Sequence, residues 1–133
     1  PIVAVTGDGG LMLNLTILET IKHNKLPVKI VVLNNKMYGI TSQYQRTNFQ
    51  DRQIANGTTD ELGDWSMPSV EKIASLFDIP YTPVHTTEQA RPAIEWLLSS
   101  QKAGIINVLS PGFSSYLPRI SRGDLPIDQM ETP

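Results

Sequence analysis

The feature that most constrains the fold is a regular alternation of short β-branched runs with segments of helical periodicity. The candidate strands are residues 2–5, 28–33, 81–84 and 105–109. The candidate helices are residues 11–22, 38–46, 68–77 and 87–99. Strands that alternate with helices predict an α/β fold of the doubly wound type, with a central parallel sheet and helices on both faces. The crossovers between its strands are expected to be right-handed.

Several segments carry more detailed predictions. Residues 2–5 form an apolar run without polar alternation, which predicts a strand covered on both faces. Residues 47–67 are polar, contain two glycines, and predict a long loop. The helix at 87–99 is expected to bury one apolar stripe. Its members are Ala90, Ala93, Ile94, Leu97 and Leu98.

The domain organisation follows from the ends of the chain. Residues 1–109 are predicted to form one domain, truncated at its N-terminus, because the chain opens without Met just before a strand. Residues 110–133 are rich in Pro, Gly, Ser and Arg, and predict an extended C-terminal tail. We therefore expect a piece of a longer polypeptide.

Composition narrows the class of partner. The formal net charge is −2, so no basic face for nucleic acid is expected. The sequence has no run of about 18 apolar residues that could span a membrane. It has no cysteine, which excludes disulfides and thiolate metal sites. A cytoplasmic location is the expectation.

A glycine-rich turn with one carboxylate follows the first strand, at Gly7-Asp8-Gly9-Gly10. Glycines let the backbone approach a ligand closely, and the N-terminus of the next helix attracts phosphate. Asp8 would repel phosphate unless a cation lay between them. The turn therefore predicts a divalent metal, and Mg²⁺ fits because it is often shared between protein oxygens and substrate phosphates.

A second polar turn, Asn34-Asn35, follows the second strand and lies 27 residues after Asp8. One strand–helix–strand unit separates the two turns, so both are expected at the same edge of the sheet, where ligands bind in such folds. The amide oxygen of Asn35 and a carbonyl near Met37 would complete the protein's share of an octahedral Mg²⁺ shell. Asn34 is expected to hold the turn.

The pairing of these turns resembles the signature of thiamine diphosphate enzymes. The stretches Gly-Asp-Gly-Gly-Leu-Met-Leu-Asn-Leu and Leu-Pro-Val-Lys-Ile-Val-Val-Leu-Asn-Asn, followed by Tyr38-Gly39-Ile40, are similar to the diphosphate-binding, C-terminal domain of the acetolactate synthase-like family. The resemblance spans roughly residues 2–109. It implies thiamine diphosphate and Mg²⁺ as cofactors and a 2-oxo acid as substrate.

The resemblance also implies roles for individual residues. Asp8, Asn35 and the Met37 carbonyl would bind the metal, and the Gly9 and Gly10 N–H groups would face the diphosphate. The cofactor-binding set is Gly7, Asp8, Gly9, Gly10, Asn35, Met37, Tyr38 and Gly39.

The catalytic glutamate of this family lies on a pyrimidine-binding domain of the same or a neighbouring subunit, outside this sequence. The catalytic residue is therefore unknown, the chain alone is expected to be inactive, and a homo-oligomer is expected.

Three functions remain open at this point. The first is part of a 2-oxo acid decarboxylase or carboligase, which makes the chain part of a lyase or transferase. The second is a non-catalytic cofactor-binding or interaction domain that needs a partner for any activity. The third is a Mg²⁺-dependent phosphoryl-transfer domain that uses Asp8. The Asn34-Asn35 turn weighs against the third, because such enzymes usually require further carboxylates at neighbouring strand ends.

Overall fold

The computed structural model describes residues 2–56, 66 and 68–112, and these form a parallel sheet flanked by helices. In chain order the elements are β1 (Ile2–Gly7), α1 (Asp8–Leu13), α2 (Thr16–His23), β2 (Val28–Asn34), α3 (Gly39–Asn48), α4 (Val70–Leu76), β3 (Tyr81–Val84), α5 (Thr87–Ser99) and β4 (Gly104–Leu109). The predicted α/β class with a parallel sheet is confirmed.

The strand order β1-β2-β4-β3 determines which helices share a face. All three pairings are parallel, and the chain passes from β2 to β3 at the far edge before β4 returns between them. Because parallel crossovers are right-handed, this reversal of direction moves the connecting helix to the opposite face. Helices α1, α2 and α4 therefore cover one face of the sheet, and α5 covers the other.

Two apolar clusters lie on the two faces and form the core. The larger cluster joins α1, α2 and α4 to the sheet through Leu11, Leu18, Ile21, Ile30, Val32, Val70, Ile73, Ala74, Ile79 and Ile105. The smaller cluster packs α5 on the sheet through Val84, Ala93, Leu97 and Ile106. Ile105 and Ile106 are consecutive in β4, and they belong to different clusters because successive side chains of a strand point to opposite faces.

The prediction that the first strand is covered on both faces is wrong. In the described sheet β1 is an edge strand that pairs only with β2, and Ile2 and Val5 are 67% and 63% exposed. An apolar run has the same composition in a central strand as in an edge strand. The sequence could therefore show that β1 is a strand, but it could not show what covers it.

The prediction of a single helix at residues 11–22 is also wrong, both in where the helix begins and in its continuity. The structure has α1 beginning at Asp8 and α2 beginning at Thr16. Asn14 ends α1, and its side-chain amide donates to the Gly10 carbonyl at 2.9 Å. Asn hydrogen-bonds readily to nearby backbone groups and so competes with helix continuation.

The last predicted helix has the bounds that the sequence indicated, 87–99, and begins with a capping box between Thr86 and Gln89. Its buried stripe is narrower than expected. Ala93 and Leu97 are buried, whereas Ile94 and Leu98 are both 46% exposed. These two side chains lie on the flank of α5, and the described part of the chain leaves that flank open.

Part of the predicted loop and tail lies outside the described residues, namely 57–65, 67 and 113–133. Within the described part, α3 continues to Asn48 and irregular chain follows as far as Asn56. No helix in the described ranges is long and apolar enough to cross a bilayer.

The core makes a direct prediction about stability. Leu18 is fully buried in α2, whereas Leu13 in α1 is 79% exposed. We expect Leu18→Ala to lower the free energy of unfolding by about 2–5 kcal/mol, because it removes buried methyl groups and leaves a cavity. The control Leu13→Ala should change it by no more than about 0.5 kcal/mol. Urea unfolding followed by circular dichroism measures both, and equal losses would contradict the placement of the core.

Candidate functional site

The site forms at the carboxyl edge of the sheet, where β1 and β2 end beside each other. Gly7, the last residue of β1, pairs with Leu33 near the end of β2. The segments that follow the two strands, beginning at Asp8 and at Asn35, therefore leave the sheet side by side. They enclose a cavity of about 550 Å³.

All eight residues predicted to bind the cofactor line this one cavity. They are Gly7, Asp8, Gly9, Gly10, Asn35, Met37, Tyr38 and Gly39. The structure thus brings together residues from two separate turns, and their role toward a ligand stays a prediction.

Five further lining residues were not predicted from the sequence: Leu33, Ile40, Thr41, Ser110 and Pro111. Ser110 directly follows β4, and its N–H donates to the Asn34 carbonyl at 2.9 Å. The rule that ligands bind at the carboxyl ends of parallel strands could have indicated Ser110, because β4 is the other neighbour of β2.

Asp8 is the charged group of the cavity. Asp8 is the first residue of α1 and is only 3% exposed. One carboxylate oxygen, Oδ1, accepts the Gly9 N–H at 2.9 Å, while the buried Oδ2 has no partner among the described residues. Burial raises the pKa of Asp8 above its ordinary value, and nearby backbone N–H groups of Gly9, Lys36 and Met37 offset part of this rise.

The turn after β2 faces Asp8 and is held by its own asparagines. Asn34 Oδ1 accepts the Lys36 N–H at 3.0 Å, and Asn35 Oδ1 accepts the Met37 N–H at 3.3 Å. Lys36 adopts a left-handed conformation with φ of 59°. Asn34 is buried and holds the turn, as expected from the sequence. Asn35 is only partly buried, and its side-chain oxygen has a second lone pair for another partner.

The absence of a side chain at Gly9 allows the two turns to meet. A Cβ atom built on Gly9 would lie 2.5 Å from Cε1 of Tyr38, well inside van der Waals contact. The Tyr38 ring therefore packs directly on the backbone of α1 and closes one side of the cavity.

The family is decided by comparison with known proteins. A family model described as "Thiamine pyrophosphate enzyme, C-terminal TPP binding domain" matches residues 1–108. The chain belongs to this family.

Relatives of this thiamine diphosphate-binding domain include acetolactate synthases. The large subunit of acetolactate synthase isozyme 2 from Escherichia coli is 30% identical over 122 residues, which cover 92% of this chain and 21% of that protein. Chloroplastic acetolactate synthase 3 from Brassica napus is 31% identical over 127 residues, covering 92% of this chain and 19% of that protein. The chain therefore spans about a fifth of the length of these relatives.

A solved structure supports the fold. The thiamine diphosphate-dependent 4-hydroxybenzoylformate decarboxylase of Rhodococcus jostii RHA1 superposes with a TM-score of 0.69 at 22% sequence identity. The match covers 82% of this chain and 19% of the decarboxylase. Family membership implies thiamine diphosphate with Mg²⁺ as the cofactor.

The residues of the domain fit this cofactor. A buried carboxylate oxygen without a partner is costly in a folded protein, and a cation bound to it would remove that cost. The Asp8 carboxylate, the Asn35 amide and the Met37 carbonyl are all oxygen donors of the kind that Mg²⁺ prefers. The described residues hold no cluster of three or more His, Cys, Asp or Glu side chains, so a metal at this edge would be bound by one carboxylate and neutral oxygens.

The buried carboxylate of Asp8 is expected to lower the stability of the metal-free protein, although it is the group that would bind the metal. The folded-state pKa of Asp8 is raised, so its contribution to stability is favourable at low pH and is lost as pH rises above the ordinary value of 3.8. We expect Asp8→Asn to stabilise the metal-free protein by about 1 kcal/mol at pH 7, since it removes an unpaired buried charge. The difference from wild type should shrink toward pH 4.

Urea unfolding in the presence of a chelator, at several pH values, measures this difference. The matched control is Asp78→Asn, whose carboxylate is 75% exposed and pairs with Lys22 at 2.7 Å. A destabilised Asp8→Asn protein at pH 7 would show that the charge of Asp8 is well compensated without metal.

Proposed function

We propose that this domain binds the diphosphate and Mg²⁺ of thiamine diphosphate within a 2-oxo acid decarboxylase or carboligase of the acetolactate synthase type. The observation that carries the proposal is the unpartnered Oδ2 of Asp8, buried beside a cavity whose opposite wall supplies Asn35 and Met37. Family membership identifies the cofactor, and the names of the relatives supply the reaction class.

The domain's own residues divide into two groups toward the cofactor. Asp8 Oδ2, the Asn35 amide oxygen and the Met37 carbonyl would hold Mg²⁺, which leaves coordination positions for diphosphate oxygens and water. Gly9 and Gly10 lie in the first turn of α1, where backbone N–H groups would bind the phosphate end of the cofactor. Tyr38 and Gly39 border the same space.

When bound, the cofactor supplies the electron sink that allows a 2-oxo acid to lose carbon dioxide. The domain's contribution would be to fix the position of the diphosphate and of its metal. A bound Mg²⁺ would keep Asp8 ionised, because a nearby cation favours the charged form of a carboxylate. The rigid parallel pairing of β1 and β2 keeps the metal ligands in place.

A partner surface adjoins the site. Ile40 lines the cavity and is 76% exposed, and Phe49 at the end of α3 is 53% exposed. The Phe49 ring meets the Tyr44 ring edge to face, with centroids 5.7 Å apart. We assign this apolar surface to the pyrimidine-binding domain of the same or a neighbouring subunit, which would complete the cofactor pocket and provide the acid–base glutamate.

Calorimetric titration with thiamine diphosphate tests the proposal. We expect binding in Mg²⁺ and none in a chelator, and Asp8→Asn should weaken the Mg²⁺-dependent binding by more than about 100-fold, since even outer partners of a metal ligand are worth 10–100-fold. The control residue Asp78 lies in the connection between α4 and β3 and does not line the cavity, so Asp78→Asn should bind as wild type does.

Equal affinity of wild type and Asp8→Asn with the same Mg²⁺ dependence would refute the assignment of Asp8. Binding without turnover of a 2-oxo acid by this chain is the expected result, since the acid–base group lies elsewhere. The same absence of turnover in a protein that includes the pyrimidine-binding domain would favour a non-catalytic cofactor-binding domain.

The surface around Ile40 predicts association. Exposed apolar patches that lie beside a cofactor site usually mark interaction surfaces. We expect light scattering to show self-association of the chain, and Ile40→Asp to reduce it. Leu76→Asp is the control, because Leu76 is 72% exposed on α4 and does not line the cavity. A strictly monomeric wild type that binds the cofactor tightly would contradict a pocket shared with a partner.

A further inference from the structure

A hydrogen bond on the side away from the cavity holds the peptide unit between Met37 and Tyr38. The Tyr38 N–H donates to the Asn56 carbonyl at 2.5 Å. In a trans peptide the N–H and the C=O of one unit point in opposite directions. The bond to Asn56 therefore directs the Met37 carbonyl away from Asn56 and toward the cavity that Met37 and Tyr38 line.

This hydrogen bond also acts on the charge of the Met37 carbonyl. A peptide whose N–H donates to an acceptor carries more negative charge on its own oxygen, because neighbouring hydrogen bonds polarise one another. Metal ligands are commonly oriented and made more basic by such outer contacts. The Asn56 carbonyl is placed both to orient the Met37 carbonyl and to make its oxygen more basic.

Asn56 belongs to no helix or strand, so its position depends on side chains. It is fully buried and follows an irregular stretch in which Gln50, Asp51 and Ala55 all have left-handed φ values. Its own amide donates to Gln45 Oε1 at 2.9 Å and to Gln53 Oε1 at 2.5 Å.

Gln45 is the centre of this arrangement. Its Oε1 also accepts the Ile54 N–H at 2.9 Å, and its Nε2 donates to the Ile54 carbonyl at 2.8 Å. Gln53 in turn accepts the buried Ser42 hydroxyl at 2.7 Å. Helix α3, which begins directly after Tyr38, thus holds the returning chain in place by its own side chains.

We infer that Gln45 is a positioning residue for the metal site. It fixes Asn56, whose carbonyl orients the Met37–Tyr38 peptide and thereby the Met37 oxygen. The inference rests on the proposed function, since it needs Met37 to be a metal ligand. Gln45 itself does not line the cavity, so its effect is transmitted through Asn56.

The test compares metal affinity among variants of the full chain. Binding of Mn²⁺, in the presence of saturating thiamine diphosphate, is followed by the loss of the free-ion signal in electron paramagnetic resonance. We expect Gln45→Met, which keeps the side-chain length and removes the hydrogen bonds, to weaken Mn²⁺ binding about tenfold. Gln53→Met should also weaken Mn²⁺ binding, and this variant is the test if Gln45→Met does not fold.

Two further variants separate a positioning role of Gln45 from a general loosening of helix α3. Gln43→Met makes the same change on α3 at a half-buried glutamine outside this network, and it should leave Mn²⁺ affinity unchanged. Gln45→Glu keeps the acceptor for Ile54 and Asn56, and it should restore affinity to within about threefold of wild type.

The outcomes distinguish this inference from the proposed function. A wild type that binds no Mn²⁺ with thiamine diphosphate would overturn both. Normal binding by wild type and by folded Gln45→Met or Gln53→Met would overturn the positioning role alone. Equal weakening by Gln45→Met and Gln43→Met would assign the effect to helix α3 as a whole and would also overturn it.

Discussion

The site depends on the parallel pairing of β1 with β2. This pairing places Gly7 beside Leu33 and brings two turns that are 27 residues apart in the sequence to one edge of the sheet. A slip of one residue would turn every side chain of β1 to the other face, and Asp8 would no longer point at the second turn. The backbone hydrogen bonds of the ladder hold this register, and the apolar cluster beneath α1 and α2 supports it.

At this edge of the sheet the carboxylate of Asp8 lies in an energetically unfavourable environment. The Asp8 side chain is buried, its Oδ2 is unpaired, and its pKa is raised by burial. Folding alone gains nothing from such a group, whereas a bound divalent cation would compensate it. The surrounding contacts resist relaxation: the Tyr38 ring rests on Gly9, and the network of Gln45, Gln53 and Asn56 holds the facing turn. A rigid, under-compensated anion is a physical basis for strong cation binding.

Local sequence signals indicated most of the fold. Apolar β-branched runs and period-3.6 patterns act over a few residues, so all four strands and the bounds of α5 could be predicted. One error lies where distant contacts decide the outcome, and the other comes from a local contact. The exposure of β1 depends on what neighbours it, and the break at Asn14 is a competition between one side chain and the helix backbone. Lys29 shows the same limit: the residue is buried, and its ammonium group donates to the carbonyls of Ser100 and Lys102, more than 70 residues away.

The sequence by itself determined the α/β class, the two turns at strand ends, and the chemistry that Asp8 and Asn35 can offer. These properties follow from residue types and short spacings. The tertiary structure alone decided that the eight predicted residues share one cavity, that Ser110 and Ile40 join them, and that Asn56 lies behind the Met37–Tyr38 peptide. A hydrogen bond from Tyr38 to a carbonyl 18 residues later, in a stretch without regular structure, has no sequence signal. It exists because side chains of one helix hold the returning chain against the site.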